Sequence, residues 1–210
     1  MIQVKNLTHY YNKEIALDNI NLTIEKGKFI AIVGESGSGK STLLSILSTL
    51  LKPTKAEITL LDTNTKKIKA IDDFRKTNIG FVFQFHYLIN YLTVKENIEL
   101  ALDEKEDKKT LENLKLLGIE ELQNRYPNEI SGGQRQRVSI ARALTNQPKI
   151  IFADEPTGNL DSKNSLKVFE LLKQLCENGT TIVVATHDKK LAKLADTIYE
   201  MSDGKISNIY

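Results

Sequence analysis

The chain has 210 residues, enough for one large domain, or a domain with a sizeable insertion, around a substantial core. Its charges nearly cancel, at a formal net +2, with lysines interleaved among acids, so a dedicated nucleic-acid surface is not expected. Cys176 is the only cysteine, which excludes a disulfide framework and a thiolate metal cluster; no apolar run approaches the ~18–20 residues that cross a bilayer, so the expectation is a soluble, cytoplasmic chain that reaches a membrane only through a partner.

Ile2, Val4 and Leu7 begin an imperfect alternation, and Ile20, Leu22 and Ile24 alternate strictly with polar residues. Both stretches predict half-buried antiparallel strands, joined by a polar turn near Asn12-Lys13-Glu14. Phe29 to Val33 then reads as a short buried strand. It runs into Gly34-Glu35-Ser36-Gly37-Ser38-Gly39-Lys40-Ser41-Thr42, which opens directly into the helical pattern of Leu43, Leu44, Ile46 and Leu47. The loop satisfies G-x-x-x-x-G-K-[ST] in the strand–loop–helix context that motif requires. Its physics is anion binding: the glycines let successive N–H groups point into a phosphate-sized hollow, and the helix adds the positive end of its dipole. Lys40 supplies a mobile charge for the β- and γ-phosphates, and the Ser41 hydroxyl is a candidate Mg²⁺ ligand. The chain is expected to bind a nucleoside triphosphate.

Beyond the breaker Pro53, Ile58 to Leu61 predicts a further strand of a small antiparallel layer. Three more apolar runs resemble Phe29–Val33: 79–83 ends at Gln84, 150–153 at Asp154-Glu155, and 181–186 at His187. Runs of this kind form parallel strands buried on both faces, whose carboxyl ends converge on one cleft. Between 79–83 and 150–153, helical patterns dominate. Thr93 and Glu96 have capping-box spacing before Val94, Ile98 and Leu102; a charge cluster, 105–109, reads as a solvated loop or helix start. Leu111, Leu114 and Leu117 lead to a stop at Gly118, and a third helix follows Ser131-Gly132-Gly133 from Gln134 to about Thr145. Later, Leu166, Phe169, Leu172 and Leu175 mark an amphipathic helix, Leu191, Leu194 and Ala195 another, and Ile198, Met201 and Ile206 a closing hairpin turning at Asp203-Gly204. The expected fold is α/β: a P-loop NTPase core with a mainly parallel sheet (about 1–84 and 146–210), an antiparallel β layer, and a helical insertion (about 85–145).

Asp154-Glu155 is the second chemical signal. An acid at the end of a buried strand beside a phosphate loop is placed to hold Mg²⁺, and its neighbour to polarise the water that attacks the γ-phosphate. Ser131-Gly132-Gly133 is a third, a helix-opening anion site made of N–H groups and a hydroxyl. Two phosphate sites but one Lys40 are most economically used in a head-to-tail pair of chains. His9 and His86 lack ligand-like spacing, and Arg135, Arg137 and Arg142 on one helix read as solvated or paired.

Ile130-Ser131-Gly132-Gly133-Gln134 is one conservative change from Leu-Ser-Gly-Gly-Gln, the signature of ATP-binding-cassette (ABC) ATPases, and lies upstream of Asp154-Glu155 at that family's spacing. The chain resembles this family over essentially its whole length. The resemblance implies ATP and Mg²⁺ as ligands, a second copy of the chain closing each ATP site through Ser131 to Gln134, and an integral membrane permease on the inner face of the membrane. It makes Tyr11 the aromatic that stacks on adenine (Tyr10 is the alternative), Gln84 the Q-loop glutamine that senses Mg²⁺ and water, Asp161 part of the D-loop, and His187 the γ-phosphate contact beside Glu155. Asp154-Glu155-Pro156-Thr157-Gly158-Asn159-Leu160-Asp161 looks like the branch serving macrolide export, lipoprotein release and antimicrobial-peptide transport. Translation-type relatives usually carry two cassettes, and repair-type relatives long coiled coils; neither pattern fits 210 residues. Intact Lys40, Asp154, Glu155 and His187 argue against a regulator without turnover. Phe85 to Leu92 is apolar enough either to fill the insertion's core or to form a groove for a permease helix. Two departures from the family fall in the antiparallel layer: Lys55-Ala56 stands where Ser-Gly is common, and the usual glycine is missing near Asp62-Thr63-Asn64.

Overall fold

The computed structural model describes residues 1–102 and 107–210. Two sheets enclose a helix. β1 (Ile2–Tyr11) and β2 (Glu14–Ile24) form an antiparallel pair around the two-residue turn at Asn12-Lys13, with Ile2 opposite Ile24 and Val4 opposite Leu22. β3 (Phe29–Val33) leads into α1 (Lys40–Leu47). β4 (Lys55–Leu60) then pairs with β1, and the short β5 (Thr63–Asn64) completes a four-stranded sheet in the order β2-β1-β4-β5. The strand expected at Ile58 starts earlier than its apolar residues, because Lys55 to Glu57 continue the ladder with β1. Leu61 leaves it for the turn. Helix α2 (Ile71–Asn78), which the apolar pattern did not announce, has no buried residue; two acids in its first turn and two basic residues in its last complement its dipole.

β6 (Ile79–Val82) opens a stretch of helices: α3 (Val94–Glu99), α4 (Asp107–Leu116) and α5 (Gly132–Leu144). The Thr93/Glu96 capping box is formed, but α3 stops at Glu99 and leaves Leu102 outside it. The cluster at 105–109 lies partly outside the described residues. β7 (Ile150–Asp154), α6 (Ser162–Glu177), β8 (Thr181–Thr186), the single turn α7 (Lys189–Ala192), β9 (Thr197–Ser202) and β10 (Lys205–Ile209) follow. Three apolar markers are corrected. Leu166 is exposed, because Ser165, Val168, Phe169 and Leu172 define the buried stripe of α6. Leu194 and Ala195 lie beyond α7, in turns bonded back to Leu191 and Ala192.

The second sheet has the order β10-β9-β3-β8-β7-β6, with β9, β3, β8, β7 and β6 parallel. β3, β7 and β8 are buried on both faces, as their unbroken apolar composition requires. Ile30, Ile32, Phe152 and Val183 face α1 and the first sheet, while Phe29, Ile151, Ile182 and Val184 face α5 and α6. Burial of aliphatic side chains on both faces is the main stabilising term, about 1.5–3 kcal/mol for each fully buried Leu, Ile, Val or Phe. Register matters more for function: Val33 lies opposite Thr186, Ala185 opposite Asp154, and Ala153 opposite Val82, so the carboxyl ends of four strands come level. Among the described residues, no helix is long and apolar enough to cross a membrane.

Candidate functional site

A cleft of about 750 Å³ opens above these strand ends. It is lined by Tyr11 from the end of β1, by Glu35, Ser36, Gly37, Gly39, Lys40, Ser41 and Thr42, and by Gln84, Glu155 and His187 from the ends of β6, β7 and β8. Glu14, Ile15 and Ala16 of β2 line it beside Tyr11. Sequence reasoning missed these three; the available signal was Ile15, an apolar residue beside the first polar turn, which the fold leaves exposed.

The loop owes its shape to close packing. Gly39 has φ 99°, and a Cβ there would lie 2.7 Å from the Ala16 carbonyl oxygen; a Cβ on Gly34 would overlap the Met201 carbonyl. The loop is also tied to the closing hairpin, since the Gly204 N–H donates to the Ser38 carbonyl (3.2 Å) while the Gly204 carbonyl accepts from the Asp18 N–H (2.9 Å). Gly34 and Ser38 therefore turn toward the hairpin, against Met201 and Ser202, rather than into the main cleft. Lys40 folds across the loop, its ammonium donating to the carbonyls of Gly34 (2.9 Å) and Glu35 (2.8 Å).

The Ser41 hydroxyl donates to Oδ1 of Asp154 at 3.0 Å. Burial raises the Asp154 carboxyl above the ordinary carboxylate range, against the lowering effect of the Ser41 hydrogen bond. Two adjacent hard oxygen donors, one a desolvated carboxylate, fit a divalent cation such as Mg²⁺. Beside them, Oε2 of Glu155 lies 2.9 Å from Nδ1 of His187. Glu155 has φ 44°, a left-handed conformation that a residue of this kind rarely adopts, and is held there by its N–H bond to the Ala185 carbonyl (2.9 Å). Gln84 leans on the next turn: the Asn159 amide donates to its carbonyl (3.4 Å), and a Cβ on Gly158 would lie 3.0 Å from its Nε2. Tyr11 is half exposed at the rim, with His9 edge-on to its ring (centroids 4.8 Å apart, planes at 89°); Tyr10 is exposed and does not line the cleft.

Ser131, Gly132, Gly133, Gln134 and Asp161 are not brought into this cleft. Ser131 caps α5, its hydroxyl oxygen accepting from the Gln134 N–H (3.3 Å) while Oε1 of Gln134 accepts from the Ser131 N–H (2.8 Å). The first-turn N–H groups of Gly132 and Gly133 have no intrahelical acceptor to use. Asp161 caps α6, accepting from the N–H (2.9 Å) and side-chain amide (2.6 Å) of Asn164; these bonds hold its carboxyl below the usual range. The two caps adjoin: positions 132 and 133 pack against Asn159, Leu160 and Asn164. One chain thus presents two separate faces, a cleft with a lysine and a capped helix end without one. The three arginines of α5 are paired with carbonyls: Arg135 with Pro127 and Ile130, Arg137 with Leu117, Arg142 with His86 and Tyr87. Among the described residues, no group of His, Cys, Asp and Glu forms a metal cluster.

A family model described as ABC transporter matches residues 17–158, more than half of the chain. An uncharacterized ABC transporter ATP-binding protein of Methanocaldococcus jannaschii is 48% identical over 221 residues, covering 100% of this chain and 99% of that protein. The lipoprotein-releasing system ATP-binding protein LolD of Aquifex aeolicus is 43% identical, covering 98% of this chain and 96% of its own length. The macrolide export ATP-binding/permease protein MacB of Campylobacter jejuni is 44% identical over 98% of this chain, which spans 33% of that longer protein. Among solved structures, a dimeric ATP-binding cassette in a post-hydrolysis state bound to ADP and Pi matches with a TM-score of 0.92 and 42% identity, over 100% of this chain and 98% of that one. The loop at 34–42, the strand-end acids and the Ser131-capped helix therefore sit in a chain that belongs to the ABC transporter family, as its nucleotide-binding, ATP-hydrolysing component.

Proposed function

We propose that this chain is the ATP-hydrolysing subunit that powers a separate integral membrane permease, and that it works as a head-to-tail pair with two ATP molecules held at the interface. The single observation that carries this reading is the separation of the Lys40 cleft from the Ser131 helix end within one chain. Two-fold pairing lets each helix end close the other chain's cleft. In the pair, Lys40 holds the β- and γ-phosphates, residues 34–42 cradle the triphosphate with backbone N–H groups, and Tyr11 stacks on the base. Ser41 and Asp154, with Gln84, are the residues that would hold Mg²⁺, which when bound neutralises phosphate charge. Glu155 accepts the proton of the attacking water, and His187 fixes the γ-phosphate beside it. Ser131, Gly132 and Gly133, flanked by Gln134 and Asp161, donate to the γ-phosphate across the interface. Loss of that phosphate removes the contacts that favour closure, which turns hydrolysis into motion.

The relatives named for macrolide export and lipoprotein release support export of a peptide, drug or bacteriocin-like substrate, with lipoprotein release or mechanical signalling across the membrane as the second reading. The exposed rings of Phe85, Tyr87 and Tyr91, on the segment after Gln84, support docking of a permease helix there. ATP should drive the Glu155→Gln chain from monomer to dimer in light scattering while phosphate release stops; a monomer at saturating ATP overturns the paired site. Charged residues at Tyr87 and Leu88 should abolish co-purification with the permease from the source membranes and leave ATP binding intact. Unchanged assembly excludes that docking surface.

A further inference from the structure

Arg142 lies in the last turn of α5, the helix that Ser131 caps at its other end. Its guanidinium donates twice to the backbone just after Gln84: to the His86 carbonyl at 2.7 Å and to the Tyr87 carbonyl at 2.9 Å. Among the described residues no carboxylate forms an ion pair with it, and burial lowers its pKa. A partly desolvated cation is thus committed to two carbonyls, which is a costly arrangement for packing alone. What it grips is strained: Tyr87 has φ 46°, a conformation that a bulky residue abandons unless its surroundings enforce it. Nε2 of the neighbouring His86 ring is buried without a hydrogen-bond partner, and burial, with Arg135 and Arg142 nearby, keeps its pKa below the ordinary 6.5. Residues 86 and 87 are therefore fastened to the last turn of α5 by the Arg142 guanidinium.

We propose that Arg142 is a positioning residue that joins the strand end carrying Gln84 to the helix carrying Ser131-Gly132-Gly133, so that the two phosphate-directed faces of one chain move together. Gln84 is two residues before His86, which leaves little slack between the cleft and this fastening. The helix, of 13 residues and roughly 20 Å long at 1.5 Å per residue, acts as a rod between this attachment and its Ser131-capped end. Tyr87 supplies the second state: without Arg142 its backbone relaxes to negative φ, and the rod is released at its far end. The inference rests on the paired reading above, because the helix end is useful only against a second chain's ATP.

The test uses the Glu155→Gln chain, in which ATP-bound pairs accumulate. ATP is expected to drive dimerisation and to slow deuterium exchange at residues 85–88. Adding Arg142→Gln should leave nucleotide binding by the single chain within about twofold and weaken dimerisation on the order of tenfold, in the usual range of coupling between sites. It should also abolish the response of 85–88 to ATP. Arg142→Lys, with one ammonium in place of a two-pronged guanidinium, should fall between, and carries the test if the glutamine variant does not fold. Equal dimerisation and an equal exchange response with and without Arg142 overturn the proposal. If the Glu155→Gln parent never dimerises, the paired reading itself fails and this inference with it, an outcome seen with Arg142 intact.

Discussion

Glu155 and His187 meet across neighbouring strand ends, the imidazole Nδ1 2.9 Å from the carboxylate Oε2, yet their surroundings differ: the Glu155 side chain is 14% exposed and that of His187 69%. The carboxylate is fixed by a left-handed backbone, whereas the imidazole is free to turn toward a phosphate. Glu155→Gln keeps the shape and a hydrogen bond to Nδ1 but cannot take a proton. Hydrolysis should fall at least ~100-fold with nucleotide affinity unchanged. His187→Ala removes one donor and should cost on the order of 100-fold in turnover. Phosphate release and nucleotide titration measure both, and turnover retained in Glu155→Gln would remove Glu155 from the role of base.

The turn between β4 and β5 places Leu61 at φ 48° and Asp62 at φ 66°, with Leu60 opposite Thr63. Two consecutive left-handed residues in a two-residue hairpin define a turn that favours glycine at its second position. Here Asp62 occupies that position, and Leu61 packs against the core. Asp62→Gly should stabilise the chain by about 1 kcal/mol, raising the melting temperature by roughly 2–4 °C. A thermal melt decides; a lower midpoint means that Asp62 makes a compensating contribution.

Asn97 is fully buried, and both its side-chain oxygen and its NH2 group are hydrogen-bonded. Its side-chain oxygen accepts from the Ile89 N–H (2.7 Å), and its amide donates to the carbonyls of Ile89 (3.1 Å), Leu92 (3.0 Å) and Thr93 (2.9 Å). Asn97→Ala strands these groups and should destabilise by about 3 kcal/mol, most visibly as faster deuterium exchange through 89–93. A melting temperature within 2 °C or so of the parent would show that water replaces the amide.

Glu200 gathers the end of the chain: it accepts from Lys189 (2.6 Å), Asn208 (3.0 Å) and the Tyr210 hydroxyl (3.2 Å). The Lys189 hydrogen bond, then that of Asn208, lowers its pKa from 4.5 to about 2. The folded state therefore holds this proton less tightly than the unfolded one. Its contribution is complete above pH 4.5 and fades as pH falls toward about 2. Melting wild type against Glu200→Gln should show a constant gap at neutral pH that closes through that interval and narrows in high salt. A gap independent of pH would assign the effect to packing.

Much of this architecture was legible because buried parallel strands leave an unmistakable trace. Phe29–Val33, Ile150–Asp154 and Thr181–Thr186 are apolar on both faces, and each ends where its chemistry begins. Helix α2 was not legible: its only apolar residues, Ile71 and Phe74, are a single partly buried pair, too short a run to set a period. Leu166 was misassigned because a leucine at helical spacing looks the same whether it meets a core or solvent. Glu14, Ile15 and Ala16 reach the cleft only because β2 folds back beside Tyr11, a long-range event with no local signature. The carbonyl partners of Arg135 and Arg142 were equally invisible, since a backbone acceptor carries no side-chain identity.

The hydrogen bond from Gly204 to Ser38 fixes an order of events during synthesis. The phosphate loop emerges from the ribosome well before β9, which flanks β3, and the Asp203-Gly204 turn, which braces the loop. A nascent chain holding every residue of the motif still lacks the strand and turn that shape it. ATP therefore meets a finished pocket only after β9 and this turn have docked, and a chain whose synthesis has not yet reached Asp203 displays a motif that cannot yet close on its nucleotide.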